Sequence, residues 1–446
     1  MSEDDQLMEA ALRRARDTRK LIVAPGARHH VAEVFTELFA GAPCIVIADE
    51  NTFAVAGRDA YDNLRESGRE CREPLVMNAD GLYAEYSFVT QIQNALADNN
   101  AIPVAVGSGA INDLTKLAAH LCGRQYVSLA TAASMDGYTA FGASITHEGS
   151  KQTFDCPAPI GVVADLEVIA AAPEGLNASG YADLVAKVPA GLDWLLADCL
   201  GVDAIDRDVW EMVQSRLDVW MSNPEGVRTG DLETTRRLTI ALMITGFAMQ
   251  ASCSSRPVSG AEHQFSHLWD MEHHTYRGAT PSHGFKVGIG SLASLALYEA
   301  VLAYDFENLD VEAAVVAWPT IEKNNAEIHA LFDLPELERK AVLESTTKYI
   351  DHAALRAQMS QLKRDWPRIR ERLQERMMTR AEVRKLLEGA GCPVRSEDIG
   401  ISRERLRASF LKAYHIRRRF TIFDLVRRAN IWDECLDQVF DGAHSS

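Results

Sequence analysis

From residue 21 to residue 131 the chain repeats one pattern: a short aliphatic, β-branched run, then turn residues, then apolar side chains at helical spacing. The runs are LIVAPGA (21–27), PCIVIADE (43–50), EPLVMN (73–78), IPVAVGSG (102–109) and QYVSLAT (125–131). Stretches such as VAEVFTELFA (31–40) and SFVTQIQNALADN (87–99) lie between them. Strand–helix alternation of this kind calls for a parallel sheet with helices on both faces. The runs carry no internal polar alternation, as expected for strands buried on both sides.

The pattern then changes. ASITHEGSKQTF (143–154) reads as a β-hairpin about a Glu-Gly-Ser turn, IGVVADLEVI (160–169) as one more strand, and AAPEGLNASG (171–180) as a linker. Beyond it the strand signal is gone, and long helical patterns run to the C-terminus, broken at 222–226, 276–284, 317–320 and 389–394. The expected organisation is an α/β dinucleotide-binding domain over residues 1–172 and an all-helical metal- and substrate-binding domain over 173–446. At 446 residues the chain is long enough for both.

A net charge of −17 argues against a nucleic-acid or anionic-membrane partner. The charged N-terminal stretch has no apolar signal region, and no uninterrupted apolar run reaches membrane-span length, so a cytoplasmic protein is expected. Eight cysteines are scattered without a C-x-x-C pair, which fits reduced thiols.

VAVGSGAINDLTKLAAHL (104–121) is a strand, a Gly107-Ser108-Gly109 turn and a helix start. Glycines let the backbone approach a ligand closely, and the N–H groups of a helix N-terminus bind a pyrophosphate. The turn is neither G-x-G-x-x-G nor a Walker loop, since Lys116 lies at the wrong spacing, and glycines in such turns also serve chain geometry alone. SLATAASMDGYTAFGASI (128–145) adds a loop of small and hydroxyl residues, Thr131, Ala132, Ala133 and Ser134, at a strand end, with Asp136-Gly137 after it. Asp49 and Glu50 close another strand, where an acid can hydrogen-bond a ribose hydroxyl and repel a 2′-phosphate, favouring NAD over NADP.

Five of the thirteen histidines fall within residues 260–288. His263 and His267 stand at i and i+4, on one face of a helix, and His283-Gly284 follows a Pro-bearing turn. Two such histidines plus a third make a ligand set for a divalent metal, with an acid/base relay or a polar surface as the alternatives. Asp183 is a candidate carboxylate in the first turn of the opening helix of the second domain, where it could equally serve the helix dipole. His273 and His274 are expected in a solvent-facing loop.

In order, GSGAINDLTK, TAASMDG, NASGYADLVAK, EHQFSH and HG resemble the sn-glycerol-1-phosphate dehydrogenase family, especially its bacterial arabinose-operon-associated branch. That family belongs with the iron-containing alcohol dehydrogenases, glycerol dehydrogenases and 3-dehydroquinate synthases. The resemblance runs from about residue 20 to at least residue 300 and implies a dehydroquinate synthase-like fold. It implies that Gly109, Ala110, Ile111, Asn112 and Asp113 touch the dinucleotide pyrophosphate of NAD(H) or NADP(H), and that Thr131–Ser134 line the nicotinamide side. It implies that Asp136 binds substrate, that Asp183, His263 and His283 hold one zinc, nickel or iron ion, and that His267 faces the substrate. The implied reaction is reversible reduction of dihydroxyacetone phosphate to sn-glycerol 1-phosphate, in a homodimer or larger homo-oligomer, with a phosphorylated small molecule as partner. The metal would polarise the C2 carbonyl, the nicotinamide would deliver hydride, and His267 or a water would return the proton.

Two departures stand out. Ala140 replaces a serine that contacts cofactor in the archaeal pattern, which leaves cofactor preference open. YHIRRRFTIFDLVRRAN (414–430) carries Arg417, Arg418 and Arg419, which read as a solvated basic helix face or, alternatively, as a phosphate clamp. The rival functions are a glycerol or other polyol dehydrogenase, a 3-dehydroquinate synthase-like lyase, and a catalytically silent metal- or nucleotide-binding protein.

Overall fold

The computed structural model describes residues 2–148 and 150–441. Among the described residues eight strands form: β1 (Lys20–Ala24), β2 (Cys44–Asp49), β3 (Leu75–Met77), β4 (Ile102–Gly107), β5 (Val127–Ala130), β6 (Ala143–His147), β7 (Ser150–Phe154) and β8 (Gly161–Asp165). Six of them make one sheet in the order β1-β8-β5-β4-β2-β3, every pairing parallel. β6 and β7 pair antiparallel as the expected hairpin, with Ile145 opposite Gln152; Gly149 of its turn lies outside the described residues.

Both faces of the sheet are buried, as the unbroken apolar runs require. Along β2, Ile45 and Ile47 enter one core with Ala105, Ile111 and Leu114. Cys44, Val46 and Ala48 enter the other with Val104, Val106, Val127 and Phe35. That is the two-residue period of a strand read out as two separate cores.

The apolar run 160–169 is strand only as far as Asp165. There the Asp165 carboxylate accepts the Glu167 N–H and starts a short helix, Leu166–Ala170. The expected linker at 171–180 is mostly helix: Glu174–Val185 is continuous. Its small residues mark close packing, not a flexible tether. A Cβ at Gly180 would meet the Ala133 carbonyl oxygen at 1.8 Å.

The helices that matter for the site are α1 (Gly109–Leu121), α2 (Glu174–Val185), α3 (Lys187–Cys199), α4 (Leu232–Ser252), α5 (Ala261–Met271), α6 (His283–Ala303) and α7 (Pro335–Lys348). The breaks expected at 276–284, 317–320 and 389–394 are non-helical or helix ends. α6 is long and apolar enough to cross a membrane by composition, but 83% of that apolar window is buried inside the protein, so it is a core helix.

The chain divides into two compact units, though not by one cut after residue 172. One unit takes everything through Leu184, then Glu211–Ser255 and Gly389–Cys392. The other takes Val185–Trp210, Arg256–Glu388 and Pro393 onward. The sheet unit therefore has helices of its own from far along the sequence, α4 among them. These pack as core and carry no strand signal that would have assigned them to it.

Candidate active site

In the sheet unit the chain runs outward from β2 to edge strand β3, then returns to β4 and continues the other way through β5 and β8. The reversal lies between β2 and β4. In open parallel sheets the crevice beyond the strand C-termini at such a point is where ligands bind. Asp49 ends β2, and Gly107 ends β4 immediately before the N-terminus of the 13-residue helix α1.

The predicted cradle is partly surface and partly scaffold. Ser108, Gly109 and Ala110 are half-exposed, whereas Ile111, Asn112 and Asp113 are buried. Asn112 accepts the Tyr126 hydroxyl at 3.1 Å, and Asp113 accepts the Ser144 N–H at 3.1 Å, which ties α1 to the hairpin. Gly107 is glycine for a local reason, since a Cβ there would lie 2.5 Å from that of Ile111. The Asp49 Oδ1 accepts the N–H groups of Asn51 and Thr52, both at 2.9 Å, so this acid caps the helix that follows it.

The loop after β5 is pinned at each end. The Thr131 N–H donates to the Gly107 carbonyl at 3.2 Å and the Ala133 N–H to Asn177 at 2.9 Å. Thr131, Ala132 and Ala133 are buried, and Ser134 is half-buried. Farther on, Thr139 Oγ1 donates to the Met243 carbonyl at 2.7 Å, and a Cβ at Gly246 of α4 would meet the Asp136 carbonyl oxygen at 2.7 Å. Lys116 completes the support. Its buried Nζ donates to the carbonyls of Gly137, Ala140 and Gly142 at 2.9–3.0 Å. Sequence spacing rules this lysine out as a phosphate ligand but gives no sign that it props the loop following Asp136.

Asp183 is wholly buried in the last turn of α2, not in a first turn, so the helix-start role does not apply. Its Oδ2 accepts the Asp136 N–H at 3.1 Å. Two of the predicted residues, 47 positions apart, thus meet within the sheet unit.

In the second unit the three histidines converge. His263 and His267 lie on α5 as expected, and His283 is the first residue of α6, which Ser282 caps at Phe285 N. The ring centroids of His263 and His283 are 5.3 Å apart, with His267 at 6.2 and 6.4 Å from them. His263 is buried, while His267 and His283 are half-buried. His273 is exposed, but His274 is not in a solvent-facing loop. It is 7% exposed, with Nε2 at 2.7 Å from the Ile399 carbonyl and Nδ1 at 2.8 Å from Arg405. The chain folds back over this turn, which a local reading cannot register.

Behind His263 lies a feature the sequence reading passed over. Glu262 Oε1 is 2.7 Å from His263 Nδ1 and also accepts the Gly260 N–H at 2.6 Å. An ionised carboxylate accepts only, so the imidazole carries its proton on Nδ1 and presents the Nε2 lone pair. That is the usual orientation of a metal-ligating histidine. Asp193 of α3 stands beside this group, accepting N–H groups from Ala261 and Ile422 and the Tyr298 hydroxyl, each at 2.7 Å. Burial and the facing Glu262 push the Asp193 carboxyl up to about 7. The adjacency of Glu262 to His263 was the available signal.

The arginine run is not a basic helix face. Arg417–Arg419 lie in the non-helical segment after the helix Arg403–His415, and of the three only Arg418 is exposed. Arg417 Nη1 is 2.8 Å from His267 Nδ1. A guanidinium only donates, so here Nδ1 accepts and the His267 proton resides on Nε2.

Comparison with known proteins bears on this arrangement. Residues 22–173 match the family model of iron-containing alcohol dehydrogenases. A glycerol-1-phosphate dehydrogenase [NAD(P)+] of Halalkalibacterium halodurans is 32% identical over 295 residues, 65% of this chain and 73% of that protein. The chain belongs to the glycerol-1-phosphate dehydrogenase family. Its archaeal relative in Methanothermobacter thermautotrophicus is 29% identical over 63% of this chain and 78% of that protein. Among solved structures, glycerol dehydrogenase of Schizosaccharomyces pombe superposes with a TM-score of 0.59 at 14% identity, covering 96% and 92% of the two chains. An iron-containing alcohol dehydrogenase of Thermotoga maritima does so with 0.56 at 13%, covering 95% and 99%. At those identities the likeness establishes the fold, the iron-type alcohol dehydrogenase and dehydroquinate synthase-like one. The family resemblance read from its ordered motifs therefore holds.

Proposed function

We propose that this protein is a metal-dependent, NAD(P)H-linked sn-glycerol-1-phosphate dehydrogenase that reversibly reduces dihydroxyacetone phosphate. The observation that carries the reading is the histidine cluster of α5 and α6, with a carboxylate fixing the tautomer of His263. It is supported by family membership and by a helix N-terminus at the reversal point of a parallel sheet.

Asp183, His263 and His283 are proposed as the metal ligands. One carboxylate and two imidazoles suit zinc, nickel or iron, and the Glu262 contact supplies the outer partner that such a histidine needs. When bound, the cation supplies Lewis-acid polarisation of the C2 carbonyl and the reduced nicotinamide supplies the hydride.

The protein's own groups bind, orient and move the proton. Ser108–Ala110 offer backbone N–H groups at the start of α1 to the dinucleotide phosphates. Thr131–Ser134 are proposed to line the nicotinamide, and Asp49, at the end of β2, to meet the ribose. Asp136 binds the substrate hydroxyl, and its N–H holds the Asp183 carboxylate in place. His267, with its proton on Nε2, donates to the C2 oxygen as hydride arrives at C2. A cytoplasmic homodimer or larger homo-oligomer completes the proposal.

The test is NADH oxidation by metal-stripped protein given dihydroxyacetone phosphate and, singly, Zn²⁺, Ni²⁺, Fe²⁺ or Mn²⁺, beside His263→Ala. Metal-restored turnover that His263→Ala lacks, with sn-glycerol 1-phosphate as product, is the expected result. Turnover of dihydroxyacetone or another polyol ketone, but never of the phosphate ester, would overturn it.

A further inference from the structure

Three guanidiniums of the sheet unit share one recess, and among the described residues none of them meets a carboxylate. A cavity of about 260 Å³ is lined by Arg16, Arg19, His120 and Arg124, with Asp17 as its one acid and Lys116 in its wall. It lies at the end of the sheet opposite the crevice. Arg19 immediately precedes β1, and Arg124 stands just before β5, so these cations gather at the N-terminal ends of parallel strands.

Such a cluster is an exception in an acidic chain. With 63 acidic against 46 basic side chains, an arginine ordinarily finds a carboxylate, as Arg28 does at Asp165 and Arg216 at Asp4. Here the acceptors are neutral. Both terminal nitrogens of Arg124 are taken, by Asn99 Oδ1 at 3.2 Å and by the carbonyls of Leu96, Asn99 and Ala101. These contacts fix the guanidinium and leave its charge uncompensated. Arg16 Nη1 donates to the Cys253 sulfur at 2.6 Å. Arg19 and His120 are exposed, and neither side chain has a partner among the described residues.

The one acid is already engaged, since Asp17 Oδ2 accepts the Ala158 N–H at 2.9 Å. Lys116 is matched by Asp113 at 3.4 Å and adds no free charge. The last carbonyls of α1, which would repel an anion, accept the N–H groups of Cys122, Gly123 and Arg124.

We propose that this recess is a second ligand site, which holds a small phosphate ester or free phosphate at the far end of the sheet from the crevice. Two guanidiniums anchored in advance cost little ordering on binding, and a third, at Arg19, is free to close over the ligand. A guanidinium matches phosphate oxygens with two parallel N–H donors. The volume falls short of the roughly 300–1,000 Å³ of sites for larger organic ligands, which suits a compact anion and excludes a dinucleotide. The site is independent of the reaction assigned to the crevice.

The experiment is a calorimetric titration of the metal- and NAD-loaded full chain with fructose 1,6-bisphosphate and, separately, with inorganic phosphate. Arg19→Gln removes the free arm, and Arg16→Gln/Arg19→Gln removes one anchored cation as well. Thermal unfolding of Arg19→Gln is expected to match the wild type, because the side chain it replaces is exposed and unpaired. Arg19→Gln is expected to weaken binding by about 10-fold and the double variant by about 100-fold, while Arg19→Lys keeps part of the affinity. Whichever probe binds the wild type more tightly shows whether an ester or the free ion is the ligand. A wild type that binds neither probe, or a double variant that binds both as tightly as the wild type does, would overturn the site.

Discussion

Glu262 Oε1 lies 2.7 Å from His263 Nδ1, and both residues are buried, the glutamate wholly so. The contact sets which imidazole nitrogen presents a lone pair, and it does so from the residue next to the proposed ligand.

Glu262→Gln keeps the shape but loses the charge that holds the proton on Nδ1. Outer partners of this kind are worth about 10- to 100-fold in metal affinity. Titration of stripped protein with Co²⁺, followed by its visible absorption, is expected to show a loss of that size. Affinity equal to the wild type would mean that Glu262 serves only to cap Gly260.

Asp193 gives the same region a pH dependence. Its carboxyl ionises near 3.8 ordinarily and at about 7 here, because of burial and Glu262. Between those values the folded state holds a proton that the unfolded chain has lost. The contribution of Asp193 is therefore fully present below the lower value and is lost as pH rises through the upper one. The slope is at most about 1.4 kcal/mol per pH unit. Urea unfolding with chelator present, at about pH 5, inside that window, and about pH 8, above it, is expected to show this fall in the wild type. It should be smaller in Glu262→Gln, which removes the repulsion and keeps the burial.

Gly180 is set by a close approach of α2 to the loop at Ala133, where a Cβ would overlap the carbonyl oxygen. Gly180→Ala is expected to cost about 3 kcal/mol of stability and to weaken NADH binding, because the Thr131–Ser134 loop must move. Fluorescence titration with NADH alongside thermal unfolding reads both. A variant that is destabilised but binds NADH normally would separate the loop from the cofactor.

Lys116→Met removes the shared donor of the Gly137, Ala140 and Gly142 carbonyls; Gly137 keeps the Ala140 N–H at 3.3 Å, so the loss falls on the other two. At about 1–3 kcal/mol for each unsatisfied group, a loss of about 3 kcal/mol or more is expected. Since the same loop carries Asp136, KM for the ketone substrate should rise. A change in stability with an unaltered KM would show that the loop keeps its place without the lysine.

What the sequence determined about this protein was whatever a local period or an ordered motif can carry. Unbroken aliphatic runs separated by helical spacing imposed the parallel sheet, because strands buried on both faces need no polar alternation. The i, i+4 spacing of His263 and His267 put two rings on one helix face, and five motifs in order identified the family. Tertiary structure alone decided the rest, because those contacts join residues with no shared periodicity. Asp193 meets Ile422 across 229 positions, Arg417 meets His267 across 150, and the small residues around Gly180 take their meaning from a carbonyl 47 positions earlier. A run of arginines, or of Ala, Asn, Ser and Gly, is neutral until the chain folds back and supplies the neighbour that gives each side chain its work.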